Sequence, residues 1–339
     1  LQVHPLNAKI ETIHTGNQKM SFTPEISQTF DTLTPLLLEL FDSPYLNFGY
    51  WNQKDISFSQ AQLALVDLFG RFSQLKKGVE VIDVGFGTGE QDLYYLDKFK
   101  CRHITGLNIS NIQIEMASNK IKNKKKYSST INFQWGDAMN LMSRPAESCD
   151  RLLALECGQL FEDKEAFING AHHILRPKGY LCVAEPIINN KSAFDEESLP
   201  DIRSEINIPI LRAPSPSTGE GWGEDDSVNL KKVLNEKVKF ILKNEENLTH
   251  SHKNYNPFYD RYLKLLEDNG FTIEGTKDIS KPVLKFYPVI KKVILNHLKT
   301  NPIQHPHNSI LLTLLAIFFI RYHTFKNKSA GYYLIRARK

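Results

Sequence analysis

The chain has 339 residues, 41% of them hydrophobic and 24% charged, with a formal net charge of +4 from 42 basic and 38 acidic side chains. That length can bury a sizeable core in one large domain or two modest ones, and the composition is that of a soluble globular protein. The charge excess is too small for a nucleic-acid binder, which would want a basic groove.

Residues 1–24 read as a flexible leader or a tag scar, with Leu1 at the start and Met20 just before SFTPE. Helical apolar spacing follows over 25–42 and 57–72, an N-terminal helical cap interrupted by SPYLNFGYWNQ. From residue 79 short apolar runs alternate with helical stretches. Strands are expected at Glu80–Val84, His103–Leu107, Ile131–Trp135, Arg151–Leu155 and Tyr180–Ala184, with helices near 89–98, 111–122 and 163–175. Such alternation means βαβ units and a parallel sheet. The lysines at 120, 122 and 124–126 read as a solvated helix end.

After Glu185-Pro186 the rhythm breaks. A second helical cap is expected over 191–270, with a Pro/Ser/Gly-rich disordered insertion near 212–226. Strand-like material returns at Phe271–Thr276 and Gly331–Ala337, around a helical insertion at 281–325. The expectation is α/β: a Rossmann-like core over 73–190 completed by 271–339. Its seven-stranded sheet is mostly parallel with one antiparallel strand, helices cover both faces, and caps lie beyond the carboxyl edge. The run 309–320, SILLTLLAIFFI, is too short to span a bilayer and reads as a buried helix, with peripheral membrane contact left open. Cys101, Cys149, Cys157 and Cys182 lack C-x-x-C spacing, which fits buried free thiols in a reducing, cytoplasmic setting without a metal site.

The chemistry concentrates in VIDVGFGTGE, Val81–Glu90. Gly85, Gly87 and Gly89 follow the first strand, where an open α/β sheet places its ligand against bare backbone. The spacing is not the G-x-G-x-x-G of dinucleotide folds. With Asp83 and Glu90 flanking the loop, the field favours a ligand cationic at one end and a nucleoside at the other, such as S-adenosylmethionine. Later strand ends add Asn108 in GLNIS at a ribose-binding position, Asp137 and Ala138 in WGDA where an adenine is read, and Glu156 in LECGQ.

With these motifs, and with LRPKGYLCVAEP and the terminal GYYLIRARK, the chain resembles the class I S-adenosylmethionine-dependent methyltransferases. More narrowly it is similar to the small-molecule group of sterol, tocopherol and natural-product methyltransferases and cyclopropane fatty acid synthases. The resemblance implies cofactor contacts from Asp83, Gly85, Gly87 and Gly89, a ribose contact near Asn108 and Gln113, and an adenine contact from Asp137 and the Ala138 backbone. The segment Asn47–Trp51 matches the group's aromatic GYW signature, which implies that Tyr50 and Trp51 present π faces to the sulfonium and close the site. Glu156 is the best-placed titratable group, for catalysis or for a cofactor contact. Where relatives carry a histidine four residues beyond that acid this chain has Leu160, and Phe86 fills a loop position more often small.

The expected activity is methyl transfer to a small, largely apolar acceptor (isoprenoid, polyketide, quinone-like or lipid), mainly by alignment and desolvation. Two rivals stay open: another reaction of the same fold, such as a cyclisation, and a non-catalytic cofactor-binding subunit. Oligomeric state, a homodimer included, is left open.

Overall fold

The computed structural model describes residues 23–122, 124–127, 129–202, 232–244, 257–300 and 308–339. The expected leader, apart from its last two residues, and the insertion near 212–226 lie outside them. Helix α1 (Thr23–Phe41) and helix α2 (Phe58–Phe72) precede the sheet. Ser57 starts α2 with a capping box: its hydroxyl accepts the Gln60 N–H at 3.2 Å, and Gln60 Oε1 accepts the Ser57 N–H at 2.8 Å.

The core then alternates as expected: β1 (Glu80–Val84), α3 (Glu90–Phe99), β2 (His103–Asn108), α4 (Asn111–Ile121), β3 (Ile131–Trp135), β4 (Cys149–Leu155), α5 (Lys164–Ile174) and β5 (Leu175–Ile188). Ser110 and Asp163 accept N–H groups at the starts of α4 and α5. Later come α6 (Tyr259–Asp268), β6 (Thr272–Asp278), α7 (Phe286–Thr300), α8 (Asn308–Lys326) and β7 (Ala330–Arg338). The strand order is β3-β2-β1-β4-β5-β7-β6. Strands β1 to β5 pair in parallel, and β7 runs antiparallel to both β5 and β6, so it is the one reversed strand.

Order reverses between β1 and β4, and an open parallel sheet forms its crevice at that switch, beyond the carboxyl ends of the strands. Each face of the sheet buries its own apolar layer. On one side Leu141, Phe167, Leu181 and Leu266 pack together; on the other Leu65, Phe69, Tyr95 and Leu334 do. A third cluster, separate from both, joins α1, α2, a helix over 232–244, α7 and α8 through Leu36, Leu234, Ile290, Leu315 and Phe319.

Helix α8 outruns the apolar stretch read from the sequence. At 19 residues it is, by length and composition only, long and apolar enough to cross a membrane. Leu311, Leu315, Ala316 and Phe319 on it are nonetheless fully buried in the third cluster, the environment of a core helix. All four cysteines are buried free thiols.

Candidate active site

The carboxyl ends of β1 to β4 open on a cavity, the place where an open α/β sheet binds its ligand. Its floor is the turn from β1 into α3. Gly85 holds φ +68°, and a Cβ there would lie 2.5 Å from that of Cys157, so only glycine fits. A Cβ on Gly87 would meet nothing closer than Leu46 Cδ1 at 3.6 Å, which leaves that stretch of main chain open to the cavity. Thr88 Oγ1 donates to Pro44 O at 2.5 Å and so draws the loop between α1 and α2 over the floor.

The walls come from successive strand ends. Asn108 Nδ2 donates to Gln113 Oε1 at 2.7 Å, and Gln113 Nε2 donates to Thr34 Oγ1 at 2.8 Å, so β2, α4 and α1 are tied together beside the cavity. Asp137 Oδ1 accepts the Met139 N–H at 2.9 Å at the start of a 3-10 turn, and both Asp137 and Ala138 line the space. Ile26, Phe30, Leu46, Leu160 and Phe161 add an apolar part to the lining. Phe86 lines the floor with its ring 4.7 Å from that of Phe133, in the space left by Gly106.

Several expected site residues stand elsewhere. Asp83 is fully buried beneath the loop and reaches the cavity only through Gln91, which lines it and donates from Nε2 to Asp83 Oδ2 at 2.6 Å. Asp83 Oδ1 and both Asp92 oxygens are buried without a hydrogen-bond partner. Burial pushes Asp83 up to about 6, and burial together with the Asp83 charge pushes Asp92 well up. Glu90 is matched by Lys120 at 2.8 Å. Of the two anions expected to bracket the loop, one is thus an acid raised by burial beside a second buried acid and the other is half of an ion pair, and the cationic preference they imply is smaller than the sequence suggested. Gly89 does not line the cavity; it starts α3, with Ala117 and Phe133 where its side chain would be.

Tyr50 and Trp51 are not among the residues lining the cavity either. The chain turns at Gly49, φ +81°, and the Tyr50 N–H donates to Ala61 O at 2.7 Å, which directs both rings along α2. Tyr50 lines a separate surface groove with Asp67 and Arg71. Trp51 is buried in the third cluster beside Phe58, its Nε1 donating to Phe48 O at 3.1 Å. Tyr45, Leu46 and Asn47, just before the signature, line the cavity in their place.

Glu156 does face the cavity, in the left-handed region at φ +57°. The Phe48 N–H lies 3.1 Å from each of its oxygens, and the Tyr332 hydroxyl donates to Oε1 at 2.7 Å. Burial raises this carboxyl to about 8, against the lowering pull of Tyr332 and of the Phe48 N–H. Tyr332, on β7, went unnoticed in the sequence because nothing local in GYYLIRARK marks it. His172 packs on Phe271 and His173 meets Arg144 O, both away from the cavity; His250 and His252 lie outside the described residues. Among the described residues no three His, Cys, Asp or Glu side chains are grouped to hold a metal.

The residues fit S-adenosylmethionine. The open main chain at Gly87 offers a cradle without side chains, the Asn108 and Gln113 amides suit ribose hydroxyls, and Asp137 with Ala138 suits an adenine edge. Comparison with known proteins agrees. Residues 82–183 match the family model described as a methyltransferase domain. The chain is 30% identical over 146 residues to the erythromycin 3''-O-methyltransferase of Saccharopolyspora erythraea, covering 43% of this chain and 47% of that enzyme. It thus spans about half the length of that relative. Among solved structures, the cyclopropane synthase MmaA2 from Mycobacterium tuberculosis superposes with a TM-score of 0.68 at 14% identity, over 95% of this chain and 100% of that one. The [4+2]-cyclase SpnF superposes with a TM-score of 0.65 at 21% identity, over 93% of this chain and 94% of that one. Residues 82–183 thus match a methyltransferase-domain model, set in a sheet of the same fold as the cyclopropane synthase and the cyclase.

Proposed function

We propose that the chain transfers a methyl group from S-adenosylmethionine to a small, largely apolar acceptor. One observation carries the reading: a single cavity is lined both by polar strand ends and by the apolar side chains Ile26, Phe30, Leu46, Leu160 and Phe161. When bound, the donor supplies a methyl group on a positively charged sulfur. Asn108, Gln113, Asp137 and the Gly85–Gly87 main chain hold its nucleoside and amino-acid parts. Gln91, steadied by Asp83, reaches the same space.

The chain's own contribution is alignment in a site screened from water. The Tyr45–Asn47 segment and α1 cover the cavity, and fixed geometry of this kind replaces about 7–11 kcal/mol of translational and solvent cost. With Leu160 where a histidine would stand, and of the carboxyls lining the cavity Asp137 given to the donor and Glu90 paired with Lys120, Glu156 is left to take a proton from an acceptor hydroxyl or amine. Raised to about 8, it is a stronger base than an ordinary glutamate, and its ionised, proton-accepting form is a minority at pH 7 and the majority above about pH 8. The apolar lining supports an isoprenoid, polyketide, quinone-like or lipid acceptor. A cytoplasmic setting belongs to the same reading. A cyclisation in this cavity is the second reading, favoured by Leu160 and by the cyclase of the same fold, and product mass separates the two.

Calorimetry with S-adenosylmethionine and S-adenosylhomocysteine tests donor binding. Asp137→Ala should weaken both by about 10-fold or more, the loss of a charge-assisted hydrogen bond. Radiolabelled methyl donor, offered with prenyl alcohols, long-chain phenols and macrolides, should put counts into the organic phase. No heat from either nucleoside with a folded sample would end the proposal.

A further inference from the structure

Glu156 lies at the end of β4, and the donor on its Oε1 comes from a strand 176 positions further along. Tyr332 is fully buried, and its main chain is fixed on both sides: Ser280 Oγ lies 2.8 Å from its N–H, and its carbonyl accepts the Ile279 N–H at 2.9 Å. Neither backbone nor ring therefore has room to follow a moving carboxylate. Oε1 accepts from the Tyr332 hydroxyl at 2.7 Å and shares the Phe48 N–H, which lies 3.1 Å from each oxygen, while Oε2 has only that shared N–H. A carboxylate has about four acceptor positions, so the larger remaining capacity is on Oε2. Phe48 is itself wedged among the cap aromatics, with ring centres 4.6 Å from Phe286 and 5.8 Å from Phe318.

We propose that Tyr332 is a positioning residue: its hydroxyl anchors Oε1 of Glu156 and so presents Oε2 as the oxygen that takes the acceptor's proton. This rests on the reading of Glu156 as proton acceptor. The proton leaves the acceptor heteroatom for Glu156, an electron pair of that atom forms the new bond to the methyl carbon as the methyl–sulfur bond breaks with its pair to sulfur, and Glu156, now a neutral acid, later returns the proton to solvent. Tyr332 keeps its own proton throughout, since burial and the neighbouring Glu156 charge hold the phenol well above its ordinary range.

The test is a ¹³C NMR titration of the full chain labelled at the glutamate side-chain carboxyl. The Glu156 resonance is the one missing from Glu156→Gln. In the wild type it should titrate near pH 8. Tyr332→Phe removes a donor that favours the charged form, so the midpoint should move up by about 1–2 units. Affinity for S-adenosylhomocysteine should stay within about 2-fold, which also shows that the variant is folded. A midpoint unmoved by Tyr332→Phe overturns the anchoring role. A shifted midpoint together with full methyl transfer by Glu156→Gln keeps the hydrogen bond but overturns the proton-acceptor reading beneath it.

Discussion

Replacing Asp83 by Asn should make the protein more stable while weakening donor binding. In an unfolded chain Asp83 ionises near 3.8; in the fold burial raises it to about 6, with a second buried acid, Asp92, beside it. The folded state thus holds more protons than the unfolded one between those values. Stability that is complete below about pH 4 is lost as pH rises through about 6. For Asp83 a rise of about 2 units at about 1.4 kcal/mol each is a loss of about 3 kcal/mol by pH 8. An asparagine carries no such charge, keeps an oxygen for Gln91, and relieves the charge that raises Asp92. With an unfolding entropy of about 2.1 cal/mol/K per residue, the gain corresponds to a melting temperature about 4 °C higher. Melting followed by circular dichroism from pH 4 to pH 8, as variant minus wild type, cancels the other titrating groups. The difference should start near zero and grow with pH, while calorimetry shows weaker binding of S-adenosylhomocysteine. A difference that is flat in pH, or a variant less stable at pH 8, would refute the account of the pair.

Two further outcomes follow from the packing. Trp51→Ala should cost about 3–5 kcal/mol of stability, the usual loss for a buried large aromatic. Donor affinity measured by calorimetry should be unchanged, because Trp51 lies in the cap cluster and not on the cavity. Lys164 and Glu185 form an ion pair at 2.9 Å with both side chains only 2% exposed. Lys164→Met should cost about 3–5 kcal/mol in denaturant unfolding, and adding Glu185→Leu should recover most of it, since the single change strands a buried charge.

The sheet was legible because its signals are local. The apolar runs 80–84 and 131–135 and the glycines at 85 and 87 each carry their meaning within a few residues, and the count of seven strands followed from where the last two runs fell. What was not legible depends on long-range partners. The anionic character of the loop could not be judged without Lys120, thirty positions beyond Glu90, or without the burial of Asp92 against Asp83. The GYW segment was placed in the site by resemblance, but an irregular loop has no period to fix which way its side chains face. The turn at Gly49 and the Tyr50 bond to Ala61 give that space to Tyr45–Asn47. Tyr332 sits in a run that reads only as a final strand, and its role arises from the register that sets β7 beside β5.

The third apolar cluster has a consequence for how such a protein can change. Most of the cap is supplied by α1, the helix over 232–244 and the α7–α8 pair between β6 and β7, and these pack on one another rather than in the two layers of the sheet. Residues there can be exchanged, lengthened or reshaped while the glycine turn and the strand ends that we assign to the donor stay as they are. Acceptor preference can thus drift independently of donor recognition, up to the point where Phe48 couples the two parts through its peptide N–H.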